Sequence, residues 1–167
     1  MPKVYVLHLS NLEASMRSAD VSFRFPVLGF TTDQEIWGFR DLDTLTRCGP
    51  RTLKEGTQIG MELIDAAGSR WVVRSIARTG RAGSWLSLLL PFGPRQSRIE
   101  QDLEPLEKVS LEEVQRRACD AMEAHAEDYS DGDEDEDEFK PLLAKVKKTR
   151  KIAAIYELLQ PDTFEPH

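Results

Sequence analysis

The stretch Ile59–Ile76, which reads IGMELIDAAGSRWVVRSI, decides the fold that we predict for this chain. Two runs rich in aliphatic and β-branched residues flank the loop Asp65–Ser69, which contains Gly68. Two runs of this kind around a short glycine-containing loop are typical of a β-hairpin. We therefore predict an antiparallel hairpin whose turn lies at residues 65–69.

Four other stretches on either side of this hairpin have strand character. Apolar and polar residues alternate from Asp20 to Phe30, which predicts a strand that ends near Pro26. We also expect strands at Lys3–Leu9 and Ser97–Leu106, and a short extended piece at residues 37–39. The apolar run that starts at Trp85 fits either a strand or a helix.

Helical spacing replaces this alternation near the C-terminus. Ser110 and Glu113 form the pattern of a capping box, and apolar residues follow at helical intervals, so we predict a helix over 111–124. A second helical pattern, of one or two helices, runs from Leu142 until Pro161. A short helix is expected at residues 41–46, with Asp41 as its cap and its end at Gly49-Pro50.

Strands first and helices last predict an α+β fold. We expect a mostly antiparallel sheet from the N-terminal two-thirds, with two or three C-terminal helices on one side of it. The expected organisation is an α+β domain over residues 1–125, an acidic linker over 126–138 and a helical segment over 139–167 that packs on the same domain.

Charge and composition exclude several classes of function. The chain has 29 acidic and 22 basic residues and a net charge of −7, which argues against general nucleic-acid binding and suits a basic partner. Cys48 and Cys119 have no CxxC spacing, and we expect both to be packing residues. The histidines, at positions 8, 125 and 167, are scattered. We therefore expect no catalytic centre, no metal and no cofactor.

The apolar runs bear on the membrane and on the compartment. The first residues form too short an apolar run for a secretory signal, and no run approaches the ~20 residues of a transmembrane helix. Two isolated cysteines suit a reducing compartment. We expect a cytoplasmic protein with no membrane partner.

The acidic segment, defined here as residues 131–138, is the main candidate for partner binding. Its acidic residues are Asp131, Asp133, Glu134, Asp135, Glu136, Asp137 and Glu138. It suits a docking surface for a basic protein, because complementary charge speeds association. A solvated linker is the alternative, since blocks of like charge repel themselves. A calcium loop of the EF-hand type fails, because Gly132 at its sixth position places Tyr129 where an oxygen ligand is needed. A fourth interpretation is neutralisation within the chain by the basic residues of 145–151.

A stretch without acidic residues, from Ala66 to Ile99, is the alternative site. Arg70, Arg74 and Arg78 share strand parity, so we expect them on one face of the hairpin, with Arg81 in the loop beyond. Such a face would bind phosphate groups or, as the simpler interpretation, would be solvated and paired with nearby carboxylates.

Four pieces of the sequence resemble a group of small bacterial proteins. They are Phe25–Phe30 (FPVLGF), Trp37–Phe39 (WGF), Leu45–Arg51 (LTRCGPR) and the Gly60–Arg74 hairpin. Proteins of this group are similar to immunity proteins, which neutralise a toxin from a neighbouring gene. The resemblance implies a protein that binds another protein, and it assigns no site residues.

Two hypotheses arise from the sequence. The first is a small acidic binding protein, an immunity protein or inhibitor that binds and neutralises a basic protein such as a bacterial toxin. The alternative is a nucleotide-binding or nucleic-acid-binding protein, or a small enzyme, that uses the arginine-rich face of the hairpin.

Overall fold

A computed structural model describes residues 15–82, 96–129 and 136–160, with side chains from residue 139 onward in the last range. Within these ranges lie the strands β1 (Met16–Arg17), β2 (Val27–Phe30), β3 (Ile36–Phe39), β4 (Arg47–Cys48), β5 (Glu62–Ile64), β6 (Arg70–Arg81) and β7 (Ser97–Leu106). The helices are α1 (Leu42–Leu45), α2 (Pro50–Glu55), α3 (Leu111–Ala124), α4 (Glu136–Lys148) and α5 (Ile152–Leu159). The strand expected at residues 3–9 and the run that starts at Trp85 lie outside the described residues.

The strands form a single antiparallel sheet, with helices packed on one face of it. The order along the sheet is β1-β7-β6-β5-β2-β3, and β4 pairs with the same edge of β7 as β1 does. Helices α3, α4 and α5 cover Leu28, Phe30 and Ile64 on one face. The predicted α+β class, with C-terminal helices on one side, is therefore confirmed.

The opposite face of the sheet has its own apolar cluster. Leu63, Trp71, Val73 and Leu103 lie at its centre. Phe23 packs its ring edge-on against Trp71, with 4.9 Å between ring centroids. Because the central strands carry apolar residues on both faces, they lie between two layers of protein.

The hairpin that decides the fold is confirmed as β5 and β6, and Asp65 holds its turn. The Asp65 side chain is buried, and its Oδ1 accepts hydrogen bonds from the backbone N–H groups of Ala67 and Ser69, both at 2.9 Å. Gly68 has a φ of 77°, and a Cβ at this position would lie 2.6 Å from the carbonyl oxygen of Val109. The turn therefore needs glycine both for its backbone conformation and for the close approach of the chain before α3.

The prediction of a strand that ends near Pro26 is wrong. The alternating residues before Pro26 form no strand, Ser18–Asp20 form a short 3₁₀ helix, and the strand Val27–Phe30 begins after the proline. Residues 21–26 still alternate their side chains, but their backbone bonds the hairpin turn: the N–H of Arg24 donates to Asp65 Oδ2 at 3.1 Å, and its carbonyl accepts from Ala66.

The helix predicted at 41–46 is confirmed as α1, with Asp41 as its cap. The element after it differs from the prediction. The Gly49-Pro50 pair begins α2 instead of ending a helix, because proline is well tolerated at the first position of a helix. Cys48 consequently lies in β4, ahead of a helix, and not at a helix C-terminus.

The C-terminal helices agree closely with the sequence pattern. Helix α3 covers 111–124 as predicted, and Ser110 Oγ accepts from the N–H of Glu113 at 3.2 Å. The Glu113 carboxylate bonds arginines of its own helix, so only the Ser110 half of the predicted capping box is formed. The later helical pattern forms two helices, and α4 begins at Glu136, inside the stretch assigned to the acidic linker.

Candidate functional site

The acidic segment runs into helix α4. Residues 131–135 lie outside the described residues, and 136–138 form the first turn of α4, where their backbone is described. Acidic residues at a helix N-terminus stabilise it through the helix dipole. Three of the acidic residues therefore also have a structural role in α4.

The other end of α4 is basic. Lys145, Lys147, Lys148, Arg150 and Lys151, which we name the basic patch, lie in its last turns and in the connection to α5. With a helical rise of 1.5 Å per residue, Lys145 lies roughly 12 Å and Lys148 roughly 16 Å along the axis from Asp137. These separations exceed the Debye length of about 8 Å at physiological salt. The lysines of α4 in this patch therefore do little to neutralise the acidic residues that begin it.

Two arginines of the alternative site are already neutralised by neighbouring strands. Arg70 lies 3.4 Å from Glu62 of β5, and Arg74 forms an ion pair with Glu104 of β7. Glu62 and Glu104 both lie opposite Val72 in the sheet, so the two arginines are on the same face. That part of the hairpin face is close to neutral.

A β-bulge separates Arg78 from this face, which corrects the predicted parity. Val73 lies opposite Leu103, whereas Ser75 lies opposite Asp102, so Arg74 is an extra residue in β6. An extra residue reverses the alternation beyond it. Arg78 lies opposite Ile99, on the face of Val73 and Leu103.

Arg78 and Arg81 lie at the far end of β6 and are exposed. Arg78 Nε lies 3.5 Å from the carbonyl oxygen of Gly80. Arg81 does not lie in a loop as predicted: it is the last residue of β6 and lies opposite Ser97 of β7. The four arginines proposed from the sequence therefore do not form one surface: two are paired on one face, and two lie at the end of the strand.

An ion-pair network between the sheet and α3 was not anticipated from the sequence. Glu62 accepts a hydrogen bond from Arg117 at 2.8 Å and forms an ion pair with Arg70, and Arg117 also bonds Glu113 at 3.0 Å. Arg116 bonds Glu113 at 2.8 Å. The i,i+3 and i,i+4 spacing of the pairs within α3 is visible in the sequence. The ion pair between Arg117 and Glu62 joins residues that are distant in sequence, so it can be recognised only from the fold.

This network lowers the pKa of Glu113 to about 2, chiefly through the hydrogen bonds of Arg116 and, after it, of Arg117. An open cleft of about 350 Å³ lies beside the network, between the β2–β3 turn and α3, and Gln34 and Asp120 are among its lining residues. The charged residues of its lining are Glu62, Asp120 and Arg117, and Arg117 is paired with Glu62. The lining therefore has a formal net charge of −1, which gives little basis for selecting an ionic ligand.

The two cysteines are buried. Cys119 lies on the buried face of α3 and packs in the core, and burial raises the pKa of its thiol. Cys48 is buried in β4. Both positions agree with the packing roles predicted from the sequence.

His125 connects the end of α3 to the β2–β3 turn. Its Nε2 lies 2.9 Å from the carbonyl oxygen of Asp33, and this hydrogen bond is the main cause of the raised pKa of His125. Its Nδ1 lies 4.0 Å from Asp128. The other two histidines, His8 and His167, lie outside the described residues.

Neither a metal-binding cluster nor a membrane-spanning helix occurs in the described part of the chain. In ranges 15–82, 96–129 and 136–160, no three His, Cys, Asp or Glu side chains are grouped so that they would hold a metal ion. Of the helices in the same ranges, none has both the length and the apolar character needed to cross a bilayer.

Comparisons of the chain with protein-family models, with curated proteins and with solved structures found no match. The resemblance to immunity proteins accordingly stays a prediction from the sequence.

Proposed function

We propose that this chain is a small acidic binding protein, an immunity protein or inhibitor that binds and neutralises a basic partner protein such as a bacterial toxin in the cytoplasm. The observation that carries the proposal is the separation of charge along α4. The acidic segment leads into the first turn of the helix, whereas three of the four lysines of α4, Lys145, Lys147 and Lys148, lie in its last turn. Lys140 is the one lysine within a turn of Glu136 and Asp137, so the seven carboxylates of the segment outnumber the lysine next to them in sequence, which favours a basic partner from outside the chain.

The amount of acidic charge also exceeds what the helix needs. Acidic residues in a first turn each stabilise a helix by about 0.3–1 kcal/mol, and the first turn of α4 already contains Glu136, Asp137 and Glu138. Asp131, Asp133, Glu134 and Asp135 precede that turn in the sequence. Their charge adds to the self-repulsion of the segment and is compensated best by a basic partner.

The proposal is tested with two variants, each of which neutralises three acidic residues. In the acidic-segment variant, Asp133→Asn, Glu134→Gln and Asp135→Asn remove three charges. This variant and the wild-type chain are each used as bait in extracts of the native host, and the captured protein is purified for calorimetry at low and high salt. We expect a basic protein whose affinity for the acidic-segment variant is at least tenfold lower than for the wild type, and whose affinity also falls as salt rises.

A control variant removes the same number of charges elsewhere. Glu107, Glu123 and Glu157 are exposed, and each is changed to Gln. This control should bind as the wild type does. Equal binding by the wild type and the acidic-segment variant would show that the acidic segment is not part of the interface. Failure to capture any stoichiometric protein would contradict the proposed function itself.

The alternative, a phosphate-binding site on the hairpin, retains one supporting observation. Arg78 and Arg81 are exposed, and no carboxylate among the described residues lies within ion-pair distance of either. A thermal-shift screen with nucleotides tests it, because a ligand that binds only the native state raises the melting temperature. Stabilisation that disappears in an Arg78→Gln/Arg81→Gln variant would favour this alternative.

A further inference from the structure

Arginine and lysine have different environments in this protein. Every Lys or Arg in an ion pair among the described residues is an arginine, as seen for Arg17, Arg40, Arg47, Arg51, Arg70, Arg74, Arg98, Arg116 and Arg117. No described lysine takes part in one. All five members of the basic patch are exposed, and none is paired with a described carboxylate. The patch is therefore the largest concentration of uncompensated positive charge in the described part of the chain.

The backbone beneath the patch is fixed by α3. Gln115 Nε2 donates to the carbonyl oxygens of Thr149 at 2.9 Å and of Lys147 at 3.1 Å. These bonds satisfy carbonyl groups that the end of a helix leaves without partners. The positively charged side chains consequently extend from an ordered support, which limits the backbone entropy lost when a ligand binds.

The patch presents charge without apolar surface. The apolar residues next to it in sequence, Val146 and Ile152, are 0% and 6% exposed. A membrane anchor of this type would add apolar side chains that enter the acyl boundary. A protein interface would be centred on aromatic or arginine anchors, and Arg150 is the only such residue in the patch. Lysines spaced along a surface suit a repeating, flexible chain of phosphates.

We infer that the basic patch binds the phosphate backbone of a nucleic acid without base specificity. Overall net charge argues against nucleic acid, but the acidic residues in the first turn of α4 lie more than a Debye length along the helix axis from Lys147 and Lys148 at physiological salt. The site is distinct from the acidic segment and does not depend on the proposed function. It is also distinct from the arginine hairpin, where Arg70 and Arg74 are already paired.

The test measures fluorescence anisotropy of a labelled single-stranded RNA of about 12 nucleotides, a length within the site sizes of single-strand binders. If all five side chains contact phosphates, log K should fall against log salt with a slope of about −3.5. The patch variant is Lys147→Gln/Lys148→Gln. Loss of two contacts should weaken binding about 25-fold at about 0.1 M salt and reduce the slope to about −2.1.

The matched control is Lys54→Gln/Lys108→Gln, which removes the same charge from exposed positions outside the patch. It should bind within about twofold of the wild type. Circular dichroism of each variant verifies that the helices are intact.

Four results would overturn the inference. The first is an absence of RNA binding at about 0.05 M salt, where phosphate contacts are strongest. The second is an equal loss of affinity in the control variant and in Lys147→Gln/Lys148→Gln. The third is a loss of RNA binding in Arg78→Gln/Arg81→Gln while Lys147→Gln/Lys148→Gln binds as the wild type does. The fourth is binding to vesicles of phosphatidylserine and phosphatidylcholine without binding to RNA, which would assign the patch to anionic lipid.

Discussion

Replacing Asp65 by alanine should remove much of the stability of the sheet, because this carboxylate joins two parts of the chain. Its side chain is 2% exposed. Oδ1 accepts from the N–H groups of Ala67 and Ser69 within the turn, and Oδ2 accepts from the N–H of Arg24, which lies 41 residues earlier. Asp65 therefore holds both the hairpin turn and the extended segment 21–26.

The magnitude is set by these three hydrogen bonds. A hydrogen bond to a charged group contributes about 1.5–3 kcal/mol, and a buried donor that loses its acceptor costs about 1–3 kcal/mol. The contributions are not additive, because two of the bonds share one oxygen and the N–H of Arg24 lies near the surface. We expect Asp65→Ala to lower the free energy of unfolding by about 3–5 kcal/mol, a large part of the roughly 5–15 kcal/mol typical of a domain.

Asp65→Asn separates the two roles. The amide oxygen can replace Oδ1 and keep the turn, while its NH₂ group would face the N–H of Arg24, which is also a donor. We expect a loss of about 1–3 kcal/mol, with faster hydrogen exchange confined to residues 21–26. Urea unfolding followed by tryptophan fluorescence gives both free energies, since Trp71 and Trp37 lie in the sheet.

The control is Asp33→Asn, at an exposed carboxylate in the β2–β3 turn, which should change the free energy of unfolding by less than about 0.5 kcal/mol. An Asp65→Ala variant that loses less than about 1 kcal/mol would refute the reasoning. So would an Asp65→Asn variant that loses as much as Asp65→Ala, since the turn and the segment would then not be separable.

Three other substitutions test other parts of the fold. Gly68→Ala should lower the free energy of unfolding by about 2–4 kcal/mol in urea titrations, because it combines a positive φ with the nearby carbonyl of Val109; a loss under about 1 kcal/mol would contradict this. The lowered pKa of Glu113 stabilises the fold above pH ~4.5, and this contribution is lost as pH falls toward about 2, so the difference between wild type and Glu113→Gln should shrink between about pH 5 and about pH 2.5; a constant difference would contradict it. The raised pKa of His125 stabilises the fold below pH ~6.5, and this is lost as pH rises through the folded-state pKa, so His125→Ala should destabilise the protein more at about pH 5 than at about pH 8, as urea titrations at the two values would show.

An element could be predicted from the sequence where its side-chain pattern and its local turn or cap residues indicate the same backbone hydrogen bonds. In the β5–β6 hairpin, alternation and turn chemistry indicate the same pairing, and in α3 the cap and the apolar stripe agree. Residues 21–26 show the limit of such a pattern. Their alternation correctly reports which side chains point inward, but their backbone bonds Asp65 and Ala66 and not a neighbouring strand. Side-chain periodicity contains no information about that choice.

The element at Pro50 was predicted wrongly for a different reason. A proline disfavours helix in the residue before it and favours the start of a helix at its own position. The same Gly49-Pro50 pair therefore fits both the end of one helix and the beginning of the next. The decision rests on the buried Thr52 and on the pairing of Arg47 and Cys48 with β7, which are tertiary facts.

The arginine face could not be located from the sequence because it depends on one residue of register. Strand parity places Arg78 with Arg70, and the bulge at Arg74 places it on the other face. A bulge leaves no reliable signal in a single sequence, whereas it moves the residues that follow it to the opposite face of β6, until a second register shift between Arg78 and Gly80 restores the original alternation. A site hypothesis built on strand parity along a long strand is therefore sensitive to a feature that the sequence does not show.

A count of charges does not distinguish lysine from arginine, but the two residue types have different environments in the described part of the fold. Arginine presents a planar fork of donors that matches a carboxylate, whereas lysine is a strongly hydrated point charge on a flexible stem. The described ion pairs accordingly use arginine, and the lysines stay in solvent. The acidic segment, which leads into α4, and the basic patch, where α4 ends, are therefore the two partner-binding surfaces that we propose, in preference to the hairpin. Exchanging Lys147 and Lys148 for arginine keeps the positive charge of the basic patch, so we expect the RNA to bind with an affinity close to that of the wild type, as fluorescence anisotropy would show.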